Sequence, residues 1–155
     1  MDLTLNWKGR LAFEGAADSG YIQKLDADKS VGGENSAARP MEYIALGLAG
    51  CTAMDVISVL QKKRQSVTGF QVRLRAERAS EHPKIFTKAV IEYVITGNRV
   101  DEAAVTRAIE LSVEKYCPAH AMLSKAFPIE LHYRIIDDSS NLIKVGTYPA
   151  KPPAT

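Results

Sequence analysis

Two cysteines, Cys51 and Cys117, are the residues of this 155-residue chain best suited to covalent chemistry. Cys51 follows a glycine inside the apolar run from Arg39 to Arg64, RPMEYIALGLAGCTAMDVISVLQKKR, and Cys117 stands before Pro118 in EKYCPAH. A thiol at the start of a helix faces free backbone N–H groups, which favour the nucleophilic thiolate. A helix that breaks and restarts at Gly50 would give Cys51 this setting. Pro118, opening a following helix, would give it to Cys117. The alternative for each is a small apolar filler, a common role of free cysteine.

Glu42 is a candidate partner for Cys51. Nine positions along one continuous helix would put the two on opposite faces and about 13 Å apart along the axis. Cooperation therefore requires a break, and Gly47 or Gly50 is where it is expected. Without one, Glu42 serves the positive end of the helix dipole. His120 lies three residues after Cys117, so Cys117, His120 and Cys51 could meet at a metal. That set lacks a fourth ligand and tight paired spacing, so neither metal nor other cofactor is expected. His82 and His132 fit a loop and a strand face. The sequence carries no phosphate-cradling glycine loop, serine nucleophile elbow or HExxH zinc motif.

The elements that must position these residues begin with the apolar run itself. Between Met41 and Leu60 its charged residues are Glu42 and Asp55 alone, and apolar side chains fall on every face. This predicts a helical region from about Pro40 to Gln65, buried nearly all round. Before it, Leu3, Leu5, Trp7, Leu11, Phe13, Tyr21 and Leu25 suggest a small antiparallel meander, broken at Lys8-Gly9 and Asp18-Ser19-Gly20. Asp26 to Ala38 reads as a loop. After the helix come strands at Phe70–Ala76 and Phe86–Thr96, an amphipathic helix at Asp101–Lys115 and a short helix at Ala119–Ala126. A closing strand runs through Ile129, Leu131, Tyr133 and Ile135. One domain is expected over residues 1–155, its core at about 3–136. The tail, 137–155, would be ordered only by contacts that its sequence does not announce.

With 20 basic and 18 acidic residues, the net charge of +2 supplies no reason to expect nucleic acid or acidic membranes as partners. The first residues lack the basic start and apolar run of a signal peptide. Met41 to Leu60 is long enough to span a bilayer, but Glu42 and Asp55 would be costly in lipid. The expectation is a cytoplasmic protein, where two cysteines are thiols rather than a permanent bridge.

PMEYIALGLAGCTAMDVISVL, EKYCPAH and the order of elements between them resemble the OsmC/Ohr family, the osmotically inducible and organic hydroperoxide resistance proteins, and especially its subgroup of short OsmC-like proteins. The resemblance covers roughly Leu3 to Ile136. It implies an α+β fold, with bent antiparallel sheets around a buried central helix, and an intertwined homodimer. It also implies thiol peroxidase chemistry, in which Cys51 attacks a small organic hydroperoxide, Cys117 resolves the sulfenic acid, and a dithiol reductant restores both thiols. The apolar helical wall suits an alkyl or lipid hydroperoxide. In the family's peroxidases a glutamate directly follows the proline; here Met41 does, and Glu42 comes one position later, a turn of about 100° on a helix. The family's N-terminal arginine has its nearest equivalent in Arg10, with Arg39 a second candidate able to pair with Glu42. The alternative function is a non-catalytic dimer that holds a small hydrophobic ligand beside Cys51 or senses oxidation. Disulfide reach between the cysteines, with a carboxylate and an arginine beside them, favours the enzyme.

Overall fold

A computed structural model describes residues 1–149. Three strands open the chain, β1 (Leu3–Gly9), β2 (Ala12–Ala17) and β3 (Gln23–Leu25), in an antiparallel sheet of that order. The first turn falls where Lys8-Gly9 predicts it. Gly9 and Arg10 both take positive φ, 111° and 48°, and the Trp7 indole N–H donates to the Arg10 carbonyl at 2.8 Å. The following loop is organised by a residue that its composition does not single out. The Asp26 carboxylate accepts the backbone N–H groups of Ala27, Glu34 and Ser36 and the Ser36 hydroxyl, at 2.7–3.1 Å. These bonds, led by those from Ser36, hold its carboxyl far below the ordinary aspartate range. Gly33 belongs to the same knot, since a Cβ there would run into the Ala27 backbone.

The chain divides into two units, residues 1–46 and the remainder from Gly47. The second is built on a sheet of order β4-β5-β6-β7: β4 (Val67–Arg78), β5 (Phe86–Gly97), β6 (Ile129–Ile136) and β7 (Leu142–Tyr148). β4 is wet on one face, as the alternation of Phe70, Val72, Leu74 and Ala76 with polar residues predicts, and β5 is buried over most of its length. The fold class is the expected α+β one, with one departure from wholly antiparallel sheets. β5 and β6 run parallel, because the chain between them crosses over through α2 (Glu102–Leu111) and α3 (Pro118–Leu123).

The tail is also more regular than expected. Residues 142–148 form β7, antiparallel to β6, and supply the backbone partners that a free β6 edge would lack. Gly146 permits this approach, since a Cβ there would collide with the Tyr133 ring. The KPP of the tail lies outside the described residues.

The central helix departs furthest from expectation. α1 runs unbroken from Pro40 to Lys62, through both Gly47 and Gly50. Each glycine costs a helix interior only about 1 kcal/mol, and Ala45, Leu46, Leu48 and Ala49 around them are strong helix formers. Burial is confined to a stripe: Leu48, Thr52, Val56, Val59 and Leu60 are buried, whereas Ile44, Leu46 and Met54 are exposed. Only 28% of its most apolar 18 residues are buried. By length and composition α1 could cross a membrane, yet its apolar stripe joins a core with Ile91, Tyr93 and Ile95 of β5, Val105 and Ile109 of α2, and Leu131 and Ile135 of β6.

Candidate functional site

Three elements bring the chemistry together. α1 contributes Cys51, Thr52 and Asp55, and β5 contributes Tyr93. The third element is the segment after α2. Asp101 caps α2 by accepting the Ala103 N–H at 3.0 Å, and its apolar face of Ala104, Val105, Ala108 and Ile109 is buried. Past Leu111 the helix widens into a π turn over Ser112–Tyr116, closed by the Cys117 N–H donating to the Ser112 carbonyl at 2.8 Å. Such insertions often mark functional positions. Cys117 then leaves helical geometry (φ −81°, ψ 100°), as Pro118 demands of the residue before it, and its Sγ accepts the His120 N–H at 3.3 Å as the cap of α3.

The result is a trio: Cys51 Sγ, Cys117 Sγ and a carboxylate oxygen of Asp55, all within 4.8 Å of one another. Both cysteines are free thiols. Cys51 is half-buried, whereas Cys117 is buried. Burial, and then the hydrogen bond to Cys51, pushes the Cys117 thiol up to about 12.

Behind the trio lies a chain of buried hydroxyls. Tyr93 Oη is 2.6 Å from Thr52 Oγ1, which is 2.9 Å from Ser112 Oγ, which donates to Asp55 Oδ2 at 3.0 Å. A serine hydroxyl has a single proton, and that of Ser112 goes to Asp55. The direction is therefore fixed: Tyr93 donates to Thr52, Thr52 to Ser112 and Ser112 to Asp55. Burial pushes the Tyr93 phenol upward, so it stays a donor throughout the physiological range.

Sequence reasoning placed the two cysteines but not this carboxylate. Asp55 lies four residues after Cys51, on the same face of α1, and that i, i+4 spacing was the available signal. Ser112 and Tyr93 carried none, being separated from Thr52 by 60 and 41 positions. Glu42 is engaged at the start of α1, where its carboxylate accepts the Arg39 backbone N–H at 2.9 Å and the Arg39 guanidinium at 3.1 Å. The first is half of a capping box. Arg39 also reaches Asp28 at 2.7 Å and Asn35 at 2.9 Å, and Arg10 pairs with Glu34 at 3.4 Å on an exposed surface. With no break in α1, the geometry that would have let Glu42 cooperate with Cys51 on one chain is absent.

His120 stands outside the trio. Its Nδ1 is buried without a hydrogen-bond partner among the described residues, and burial holds the imidazole below its ordinary value. A cavity of about 410 Å³ is lined by Gly97, Val100, Ile135, Asp137, Asp138 and Ile143 among others, and neither cysteine is part of its lining.

The model of the OsmC-like protein family matches residues 33–132. Protein YhfA of Escherichia coli (strain K12) is 38% identical over 136 residues, covering 88% of this chain and 98% of YhfA. A hypothetical protein from Aquifex aeolicus VF5 of known crystal structure is 28% identical, with a TM-score of 0.77 over 88% of this chain and 96% of that one. The crystal structure of an organic hydroperoxide resistance protein from Legionella pneumophila shares the fold at 18% identity. Its TM-score is 0.63, over 86% of this chain and 94% of that one.

Proposed function

The chain belongs to the OsmC-like protein family, and on that premise we propose that it reduces organic hydroperoxides through its two thiols. The observation that carries the reading is the approach of Cys51, Cys117 and Asp55 to within 4.8 Å. Cys51, the more accessible sulfur, attacks as the thiolate. Its lone pair forms an S–O bond, the O–O bond breaks, and the leaving alkoxide takes a proton to become an alcohol, with sulfenic acid left on Cys51. Cys117 then attacks the Cys51 sulfur; hydroxide leaves with the Cys117 proton as water, and a disulfide closes. A dithiol reductant restores both thiols by exchange and is itself oxidised to a disulfide.

In this reading Asp55, beside both sulfurs, is the carboxylate that moves protons in these steps, and the role the resemblance suggests for Glu42 passes to it. The expected outcome is a fall in turnover of about 10-fold to 100-fold for Asp55→Asn, within the usual range for an acid–base group. A comparable loss in Glu42→Gln with none in Asp55→Asn would return the role to Glu42.

The protein acts as a homodimer in the reducing cytoplasm. The support is the outward face of α1, where Ile44, Leu46 and Met54 are exposed and where Gly47 and Gly50 have open space beside them. An apolar face of this kind gains stability when covered by a second copy. The reading is tested by mixing reduced, metal-free protein with cumene hydroperoxide and counting thiols. Both thiols are expected to disappear for each equivalent of peroxide consumed; a protein that keeps both in excess peroxide is not this enzyme.

A further inference from the structure

The trio offers a chemistry that peroxide reduction does not use. Two sulfurs and a carboxylate oxygen converge from fixed backbone, two of them one helical turn apart on α1 and the third at the junction before α3. We infer that in the reduced protein Cys51 Sγ, Cys117 Sγ and an Asp55 oxygen bind one thiophilic divalent cation of the zinc class, leaving a fourth coordination position open. The site goes beyond the peroxidase reading and stands whether or not that reading holds.

Four observations support it. The donor set is right for zinc: two sulfurs select a soft or borderline cation over magnesium or calcium, and three protein ligands with an open position suit an exchangeable zinc site. The ligands are also oriented from behind. Ser112 Oγ donates to Asp55 Oδ2 at 3.0 Å, held in turn by Thr52 and Tyr93, and the His120 N–H donates to Cys117 Sγ at 3.3 Å. Outer hydrogen bonds of this kind fix ligand geometry in metal sites. Asp55 accepts from Ser112 at Oδ2, and since a carboxylate has about four lone-pair sites on its two oxygens, it keeps the capacity to ligate. Lastly, none of the ion pairs among the described residues engages Asp55, so a bound cation would be the counter-charge of its carboxylate.

Charge balance defines what is measured. A dication replaces the protons of two thiols, so binding releases two protons and leaves a site of one net negative charge. Closure of the Cys51–Cys117 disulfide removes both thiolates, so oxidation must expel the metal.

The test is a titration of reduced, chelator-stripped full-length protein with cobalt(II) under argon, followed by displacement with zinc. One cobalt per chain is expected, with sulfur-to-cobalt charge-transfer bands in the near ultraviolet that vanish on adding zinc. Diamide-oxidised protein should show none. Asp55→Asn should bind at least about 10-fold more weakly, and Ser112→Ala about 10-fold more weakly, as losses of an orienting bond do. If reduced wild-type protein shows no charge-transfer band at equimolar cobalt, or if oxidised protein binds as well as reduced, the inference falls. Both measurements use wild-type chain, so a poorly folding variant cannot obscure them. Thiol loss to peroxide on metal-free protein is read separately, and either result can fail without the other.

Discussion

Cys51→Ser is expected to reduce hydroperoxide turnover by at least about 10³-fold, the scale of loss when a covalent nucleophile is removed from an enzyme. A serine hydroxyl in the same place is not ionised near neutral pH and does not attack an O–O bond, whereas a thiolate does. Cys117→Ser has a different expected phenotype. Its first turnover proceeds, because Cys51 is intact, but no partner sulfur lies within 4.8 Å to close a disulfide. Sulfenic acid should therefore persist on Cys51 and be captured by a dimedone probe in Cys117→Ser. Cys51→Ser should give no adduct. Adduct in Cys51→Ser alone would reverse the two roles. Steady turnover in Cys51→Ser would remove the thiol mechanism altogether. The exposure difference argues for the expected order: a substrate from solvent meets half-buried Cys51 before buried Cys117.

What could be read from the chain divides according to how local the cause is. The start of α2 beside Asp101, the break at Cys117-Pro118 and the strand over Phe70–Ala76 are settled by neighbours within a few residues, and each lies close to where the sequence puts it. The unbroken α1 shows where this reasoning overreaches. Two glycines permit a break, but a core stripe with good helix formers between them costs less to keep helical. All-round burial was inferred from all-round apolarity, yet an apolar face can equally remain for another chain to cover. β7 was illegible for another reason. Its strand is defined by backbone pairing with β6, and no signal in residues 142–148 names that partner. At the site, the thiols stood out by residue type. The hydroxyl chain did not, because a buried threonine, serine and tyrosine acquire meaning only when α1, β5 and the π turn converge.

That convergence predicts a stability effect of its own. Thr52→Val keeps the shape of a fully buried side chain and removes the one group that links Tyr93 to Ser112. The Tyr93 hydroxyl then has no acceptor, and a buried donor left unpaired costs about 1–3 kcal/mol, whereas Ser112 still donates to Asp55. Urea unfolding should therefore show Thr52→Val less stable than wild type by about 1–3 kcal/mol. Tyr93→Phe alone removes the donor but leaves Thr52 able to bond Ser112, so its cost should be the smaller. The combination of Thr52→Val with Tyr93→Phe decides the matter. Once the phenol is gone, losing its acceptor no longer matters, so the double variant should be more stable than the sum of the single losses implies, by more than about 0.5 kcal/mol. Strict additivity would mean that the two hydroxyls do not act on one another. The same substitution reaches the chemistry through Ser112, which keeps its bond to Asp55 but loses the donor that orients it. Thr52→Val should thus lower peroxide turnover less than Asp55→Asn does, while Tyr93→Phe leaves the orientation of Ser112 by Thr52 in place and lowers it least. This ranking follows distance along the hydrogen-bond chain from the carboxylate, and a purely structural role for Thr52 would not produce it.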